Sequence, residues 1–224
     1  MPISVIIPTL NEAGALAETV ASVRSQSPDE IIVADGGSSD GTRAAAAAAD
    51  LFVEAPPGRA SQMNAGAACA AGDVLLFLHA DCTLEQGALA EAERALQCPG
   101  VAACCFTMTV SAAGAAYRLI DACATARVRL TGIAYGDQGL CLRRATFKRL
   151  GGFPPLRLME DVFFSRRLRR HGRVAVVPPR IFVSPRRWQR VGLVRQTLRN
   201  WALTALAAAG VPPDRLAACY PAVR

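Results

Sequence analysis

Short, unbroken apolar runs that each stop on a polar or acidic residue constrain this chain more than any other feature. ISVII runs from Ile3 to Ile7 into Pro8 and Thr9, EIIVAD from Glu30 to Asp35, LFVEA from Leu51 to Ala55, and DVLLFLHAD from Asp73 to Asp81. Runs of this length without polar alternation fit strands buried on both faces. Between them lie helix-forming segments. Asn11 is placed to cap a helix whose Leu16, Val20 and Val23, spaced by four and three residues, make one apolar stripe that ends at Ser27 and Pro28. The turn-rich GGSSDGT leads into alanines 44 to 49, a strong helix former, and a further helix is expected from Ala60 to Ala71. Strand and helix alternating in this way predict an α/β chain with a doubly wound, mostly parallel sheet flanked by helices.

Past Pro99 the rhythm loosens into a strand from Val101 to Val110, a helix from Ala113 to Leu130, a Gly-rich loop and a short helix from Thr146 to Leu150. At 224 residues the chain fits one domain with an appended terminal element. No apolar stretch approaches the roughly 18 to 20 residues that span a bilayer, and the N-terminus lacks the order of a secretory signal, so a cytoplasmic location is expected. Cys69, Cys82, Cys98, Cys104, Cys105, Cys123, Cys141 and Cys219 form no C-x-x-C pair and read as reduced core or loop thiols. The net charge is +7, and basic residues crowd the stretch from Arg143 to Arg199. That stretch should attract anions, whether a diphosphate, nucleic acid or an anionic membrane face.

In open parallel sheets ligands bind beyond the carboxyl ends of the strands. Thr9, Asn11 and Glu12 follow the first run, Asp35 ends the second, and His79 and Asp81 end the fourth. Three strands thus aim polar or acidic groups at one edge. The loop PTLNEAG has neither G-x-G-x-x-G spacing nor a Walker lysine, so phosphate must be handled by another device. Alternate residues leaving a strand face one side, so His79 and Asp81 could share a divalent ion that bridges a diphosphate. Mg2+ would favour Asp81, while Mn2+ also accepts the imidazole. The alternative is a histidine bonded to a backbone carbonyl.

Pro8 to Glu12, Asp35 to Thr42, Arg59 and Asn64 in GRASQMNAGA, the H-A-D triplet, and Glu160-Asp161 occur in an order and spacing that resemble family 2 glycosyltransferases, which have the GT-A fold. The resemblance runs from Met1 to about Arg180, and the segment Ser184 to Trp188 is similar to one in the bacterial arsenosugar biosynthesis glycosyltransferase subgroup. It implies a GT-A domain over residues 1–185, with a nucleotide-binding half at 1–100 and an acceptor half at 101–185, and a basic amphipathic tail at 186–224. The donor it implies is a nucleoside-diphosphate sugar, a UDP-sugar first, held with Mn2+ or Mg2+. Asp35 would then accept hydrogen bonds from the base, and Thr9, Glu12 and Arg59 would contact base and ribose, with Asn64 supporting the same pocket. Asp81 corresponds to the last aspartate of the family's D-x-D motif and would ligate the metal. His79 stands where the first aspartate is expected.

Glu160 and Asp161 sit at the expected N-terminus of a helix, where the dipole alone would favour carboxylates. A sugar hydroxyl attacking an anomeric carbon needs one carboxylate as general base. The resemblance makes that base Asp161, with Glu160 orienting it or binding the acceptor. Displacement would invert the anomeric centre, and metal with Arg186 or Arg187 would neutralise the departing diphosphate. Asp137 and Gln138, in the loop from Gly136 to Gly139, could bind acceptor hydroxyls, or form an ordinary turn. A nucleoside-cofactor methyltransferase would need the missing Gly-rich first loop; a non-catalytic sugar-nucleotide-binding protein would keep the site idle. The expected partners are the nucleotide-sugar donor and a hydroxyl acceptor, and not nucleic acid. Trp188 to Ala209 mixes Arg190, Arg195 and Arg199 with apolar residues and fits either a helix docked on the domain or on a second copy, or one lying at the inner face of the plasma membrane.

Overall fold

A computed structural model describes residues 1–218 of the chain. Eight strands make one sheet in the order β3-β2-β1-β4-β7-β6-β8-β5. They are β1 (Ile3–Thr9), β2 (Glu30–Asp35), β3 (Leu51–Glu54), β4 (Val74–Phe77), β5 (Cys82–Leu84), β6 (Val101–Val110), β7 (Leu140–Arg143) and β8 (Arg173–Val183). β3, β2, β1 and β4 run parallel. β7 then enters antiparallel between β4 and β6, β8 runs parallel to β6, and β5 closes the edge antiparallel to β8. The result is a mixed α/β sheet in a single domain, with its parallel portion where the apolar runs are longest.

Ten helices flank it among the described residues: α1 (Ala13–Arg24), α2 (Thr42–Ala45), α3 (Arg59–Cys69), α4 (Ala88–Gln97), α5 (Ala115–Thr131), α6 (Arg144–Arg149), α7 (Glu160–Leu168), α8 (Arg186–Val191), α9 (Leu193–Ala208) and α10 (Pro213–Ala218). Successive strand residues point to opposite faces, and both faces are covered. Val5, Ile7, Ile31, Val33 and Leu76 pack under α1 and α4, through Leu16, Val20, Val23, Leu89 and Leu96. Ile6, Ile32, Leu75 and Phe77 pack with Ala60, Met63 and Ala67 of α3 and with Phe147, Phe153 and Phe164. That double burial is the reason the runs are apolar at every position. α3 lies so close to β1 that a Cβ at Gly66 would come within 2.5 Å of Ile6 Cγ2.

Several expectations change. Asn11 does not cap α1: it adopts a left-handed φ of 56°, Glu12 takes the N-cap position, and the Asn11 side chain accepts the Ser39 N–H at 2.9 Å instead. The alanine run yields a single helical turn, because the chain turns back within five residues of Ala45 to pair Leu51 of β3 with Ile32. β4 ends at Phe77, so His79, Ala80 and Asp81 occupy a turn into β5, closed by the Cys82 N–H on the His79 carbonyl at 3.2 Å. The tail helix from Trp188 to Ala209 is broken at Gly192, whose φ is 92°. All seven described cysteines are free, and Cys219 lies outside the described residues, as does the end of the tail beyond residue 218. No helix among the described residues is long and apolar enough to cross a membrane.

Candidate functional site

The loops after β1 and β2 are stitched together by their own polar residues. Ser38 Oγ accepts the Asn11 N–H at 2.8 Å, Thr42 Oγ1 accepts the Glu12 N–H at 2.9 Å, and Asp40 accepts the N–H groups of Ala13 and Thr42. The buried Asp35 carboxylate accepts from Gly37 N at 2.9 Å, Ser38 N at 2.8 Å, Thr9 Oγ1 at 3.1 Å and the Ser38 hydroxyl. Burial alone would push its pKa up, but the Ser38, Gly37 and Thr9 hydrogen bonds outweigh it and hold the carboxyl below its usual value. Gln62 of α3 donates to the carbonyls of Thr9 and Ala34, which fixes the depth of the two strand ends. Asp35 opens onto a cleft lined also by Gly37, Ser38, Arg43, Phe52, Glu54 and Ala55, with the Arg43 guanidinium 4.7 Å from the centre of the Phe52 ring.

The turn from β4 to β5 brings His79, Asp81 and Cys82 together, with one ligating atom from each within 4.8 Å of the others. Burial, with Arg59 and Arg187 nearby, holds His79 well below its ordinary pKa, so its imidazole is neutral at pH 7. Its Nε2 is buried without a hydrogen-bond partner, against Gly136, where a Cβ would come within 2.5 Å of it. A neutral imidazole with an uncommitted nitrogen and a carboxylate are donors that suit Mn2+, and the carboxylate alone suits Mg2+. Burial pushes the Cys82 thiol pKa well up, so Cys82 stays a thiol and a poor ligand.

Asp81 already has a cationic neighbour. Arg186, at the start of α8, lies 3.1 Å from Asp81 Oδ2 and 2.5 Å from Glu12 Oε2, tying the β1 loop, the β4–β5 turn and the tail into one ion cluster. The arginines after β8 thus reach the site edge.

At the N-terminus of α7, Asp161 Oδ1 accepts its neighbour's N–H from Val162 at 2.7 Å, and Oδ2 accepts the Gly136 N–H at 2.6 Å. Glu160 turns inward instead: its side chain is buried, Arg59 NH1 is 3.4 Å away, and burial pushes its carboxyl up against the pull of Arg59. Asp137 is raised in the same direction by burial, with Asp161 and Asp81 adding to it against Arg127 and Arg59, and its Oδ1 is buried without a hydrogen-bond partner. Five acidic groups from four segments, Glu12, Asp81, Asp137, Glu160 and Asp161, therefore share one region with Arg59, Arg186 and Arg187.

Two expected site residues are committed elsewhere. Asn64 donates to the Phe153 carbonyl and accepts the Phe153 N–H, both at 2.9 Å, so it pins the Gly-Gly-Phe loop to α3. Gln138 is fully buried and accepts Arg127 NH2 at 2.5 Å, which removes it from the acceptor surface. Sequence reasoning missed the Arg186 bridge and the Gly136 contact. The order of motifs along the chain carries no signal for the first, whereas the glycine in GDQG marked the second as a close approach.

The family model for glycosyl transferase family 2 matches residues 4–149. No curated protein matches the chain in sequence. Among solved structures, the chain is similar to the mannosyltransferase PcManGT from Pyrobaculum calidifontis in complex with GDP-Man and Mn2+, at 26% identity and a TM-score of 0.65 over 81% of this chain and 56% of that one. It is similar in fold to S. aureus TarS 1–349 in complex with UDP-GlcNAc, at 18% identity and a TM-score of 0.65 over 82% of this chain and 58% of that one. GalNAc-T7 with UDP, GalNAc and Mn2+ shares the fold at 18% identity and a TM-score of 0.62 over 82% of this chain and 44% of that one. The chain thus spans well under two thirds of each of these proteins. With the motif loops of β1, β2 and β4 inside the matched region and the same fold around them, the chain belongs to glycosyl transferase family 2.

Proposed function

We propose that this chain is an inverting glycosyltransferase that moves a sugar from a nucleoside-diphosphate sugar, a UDP-sugar first, to an acceptor hydroxyl by direct displacement. One observation carries the reading: three segments that meet at the carboxyl edge of the sheet bring Asp35, Asp81 and Asp161 to the same side, each in a chemically distinct setting. Asp35, kept ionised by its hydrogen bonds and with Thr9 beside it, suits the donor N–H groups of a base, and Glu12 and Arg59 would complete the contacts to base and ribose. Asp81 would hold Mn2+ or Mg2+, with His79 in reach, and the bound ion supplies positive charge to the diphosphate. Arg186 and Arg187 add fixed positive charge on that side.

Asp161 is the base. Gly136 N–H and Val162 N–H fix both of its oxygens, which holds the carboxylate in one orientation for taking the acceptor proton. Glu160, drawn inward by Arg59, positions its neighbour rather than reacting. The bound ligands of the structural neighbours, GDP-Man, UDP-GlcNAc and UDP with Mn2+, support this donor class. The Ser184 to Trp188 segment, which supplies Arg186, supports placement beside the arsenosugar subgroup. Nothing in the site supports methyl transfer.

Asp161→Asn tests the assignment. Transfer should fall by about 10²- to 10⁴-fold, while calorimetric affinity for UDP with Mn2+ stays within about twofold of the parent. Unchanged transfer would remove Asp161 from the role of base. No heat with UDP or GDP, with or without Mn2+, would remove the donor assignment.

A further inference from the structure

We infer that the outer face of α9 docks flat on an anionic lipid bilayer. The inner face of this helix is satisfied: Leu203 and Ala207 are buried in a cluster with Met159, Val162 and Leu216, Gln196 is buried, and Thr204 Oγ1 meets the Tyr135 hydroxyl at 2.6 Å. The opposite face is not. Val194, Leu198 and Trp201 are 67%, 56% and 57% exposed, while Leu206, 45% exposed, lies about 80° to one side of them. At 3.6 residues per turn Val194, Leu198, Trp201 and Ala205 fall in an arc of about 60°. Scattered exposed leucines are ordinary. A contiguous apolar face with a tryptophan, running the length of a 16-residue helix, marks a contact surface.

Charge decides the occupant. From Val162 to residue 218 the sequence holds twelve arginines against one acidic residue, Asp214. Exposed Arg195 borders the apolar face, exposed Arg190 precedes α9 on α8, and exposed Arg167, Arg169 and Arg170 stand at and just past the end of α7, whose Val162 joins the cluster under the inner face of α9. Two copies joined through this face would bring like charges together, whereas an anionic membrane surface takes the apolar stripe into its acyl boundary and the arginines at its headgroups. Since no described helix can span a bilayer, contact of this kind is interfacial. The inference does not rest on the glycosyltransferase reading.

The test uses the full chain with unilamellar vesicles of phosphatidylcholine alone and of phosphatidylcholine with roughly 30% phosphatidylglycerol, an anionic fraction sufficient to set a surface potential. Co-sedimentation should be at least about tenfold greater with the anionic vesicles and fall with added salt, as a Debye length of about 10 Å at 0.1 M requires. Brominated acyl chains should quench Trp201 fluorescence, and Trp201→Phe should abolish that quenching, leaving only the buried Trp188. Leu198→Glu with Trp201→Glu should lose at least about tenfold in vesicle binding. The quenching measurement needs no charged variant, so a variant that fails to fold leaves a readout in place. Equal and negligible binding to both vesicles, or no quenching by brominated lipid, overturns the inference. A dimer in sedimentation that the double variant converts to monomer overturns it in favour of a second copy.

Discussion

Gly136→Ala turns the contact between the Gly136 loop and the β4–β5 turn into a measurable clash. A Cβ at this position would lie 2.5 Å from His79 Nε2, 3.0 Å from His79 Cε1 and 3.4 Å from Asp161 Oδ2. Ordinary van der Waals contact begins at 3.4 Å, so the imidazole must retreat by the difference, 3.4 − 2.5 = 0.9 Å, or carry the loop with it. The backbone at Gly136 does not need a left-handed φ, so alanine introduces the methyl group without torsional strain. Overpacking of this size costs about 1–3 kcal/mol of stability. The kinetic effect should be larger. Because the Gly136 N–H holds Asp161 Oδ2, loop movement shifts the base, and a displacement near 1 Å costs on the order of 10²-fold in turnover. The assay is single-turnover transfer or donor hydrolysis with a UDP-sugar, beside calorimetry of UDP. The expected pattern is a turnover loss of about 10²-fold with nucleotide affinity nearly unchanged. Gly14→Ala, where a Cβ meets nothing within 4 Å, is the control and should leave turnover at the parent rate. Parent-like turnover in Gly136→Ala would show that the two segments are not held in register by this contact, and would remove the positioning argument for Asp161.

Arg186→Ala should raise Mn2+ affinity of the nucleotide-free protein a few-fold, since a half-exposed ion pair with Asp81 is worth on the order of 0.2–1 kcal/mol, while transfer falls; Mn2+ titration by electron paramagnetic resonance reads the first effect, and unchanged affinity would refute the competition. Asp35→Asn probes the pH dependence of stability. A carboxyl held below its unfolded value contributes stability that is fully present above the unfolded pKa of 3.8 and is lost as pH falls through the folded value, so urea midpoints of parent and variant should differ most near neutrality and converge below pH 3.8. The difference at neutrality should be roughly 1.5–3 kcal/mol, the scale of hydrogen bonds to a charged group, and a gap that persists into acid would contradict the network. Asn64→Ala removes both bonds to Phe153 and should cost about 1–3 kcal/mol in chemical denaturation with UDP affinity unchanged; lost affinity at parent stability would return Asn64 to the donor pocket.

The nucleotide half of the fold was legible because its physics is local. Strands buried on both faces must be apolar throughout, and Ile3 to Ile7, Ile31 to Ala34 and Val74 to Phe77 could be read directly. β7 and β8 were not legible. Leu140–Arg143 is four residues ending in arginine, and Arg173–Val183 carries Pro178 and Pro179, both of which argue against an interior strand. The prolines fall where the β6–β8 register slips between Phe106 and Thr107, an irregularity that accommodates residues unable to donate to the ladder. The alanine run failed in the other direction: its intrinsic propensity is high, but one turn is all that the short route from Asp35 back to β3 accommodates.

Within the site the same division holds, and it explains which residues were misplaced. Asp35 and Asp81 follow strand runs, where position along the chain fixes position in space, so an edge-of-sheet argument reaches them, whereas Asp161, at the start of α7, is reached through the family resemblance. Asn64, which the resemblance assigns to the donor pocket, is bonded to the Phe153 backbone 89 residues away, and Gln138 is buried and bonded to Arg127; neither contact is visible in the motifs themselves. Arg186 shows the third case. The sequence marks it, with Arg187, as a candidate to neutralise a diphosphate but not as a partner of Glu12: 174 residues separate the two, and only the fold brings them to 2.5 Å. That contact also changes what a divalent ion must do. A divalent ion at Asp81 would meet a carboxylate that shares one guanidinium with Glu12, so its binding would be favoured when a diphosphate draws the guanidinium away and supplies new oxygens. Metal and nucleotide should therefore bind with positive linkage, each tightening the other by the same factor.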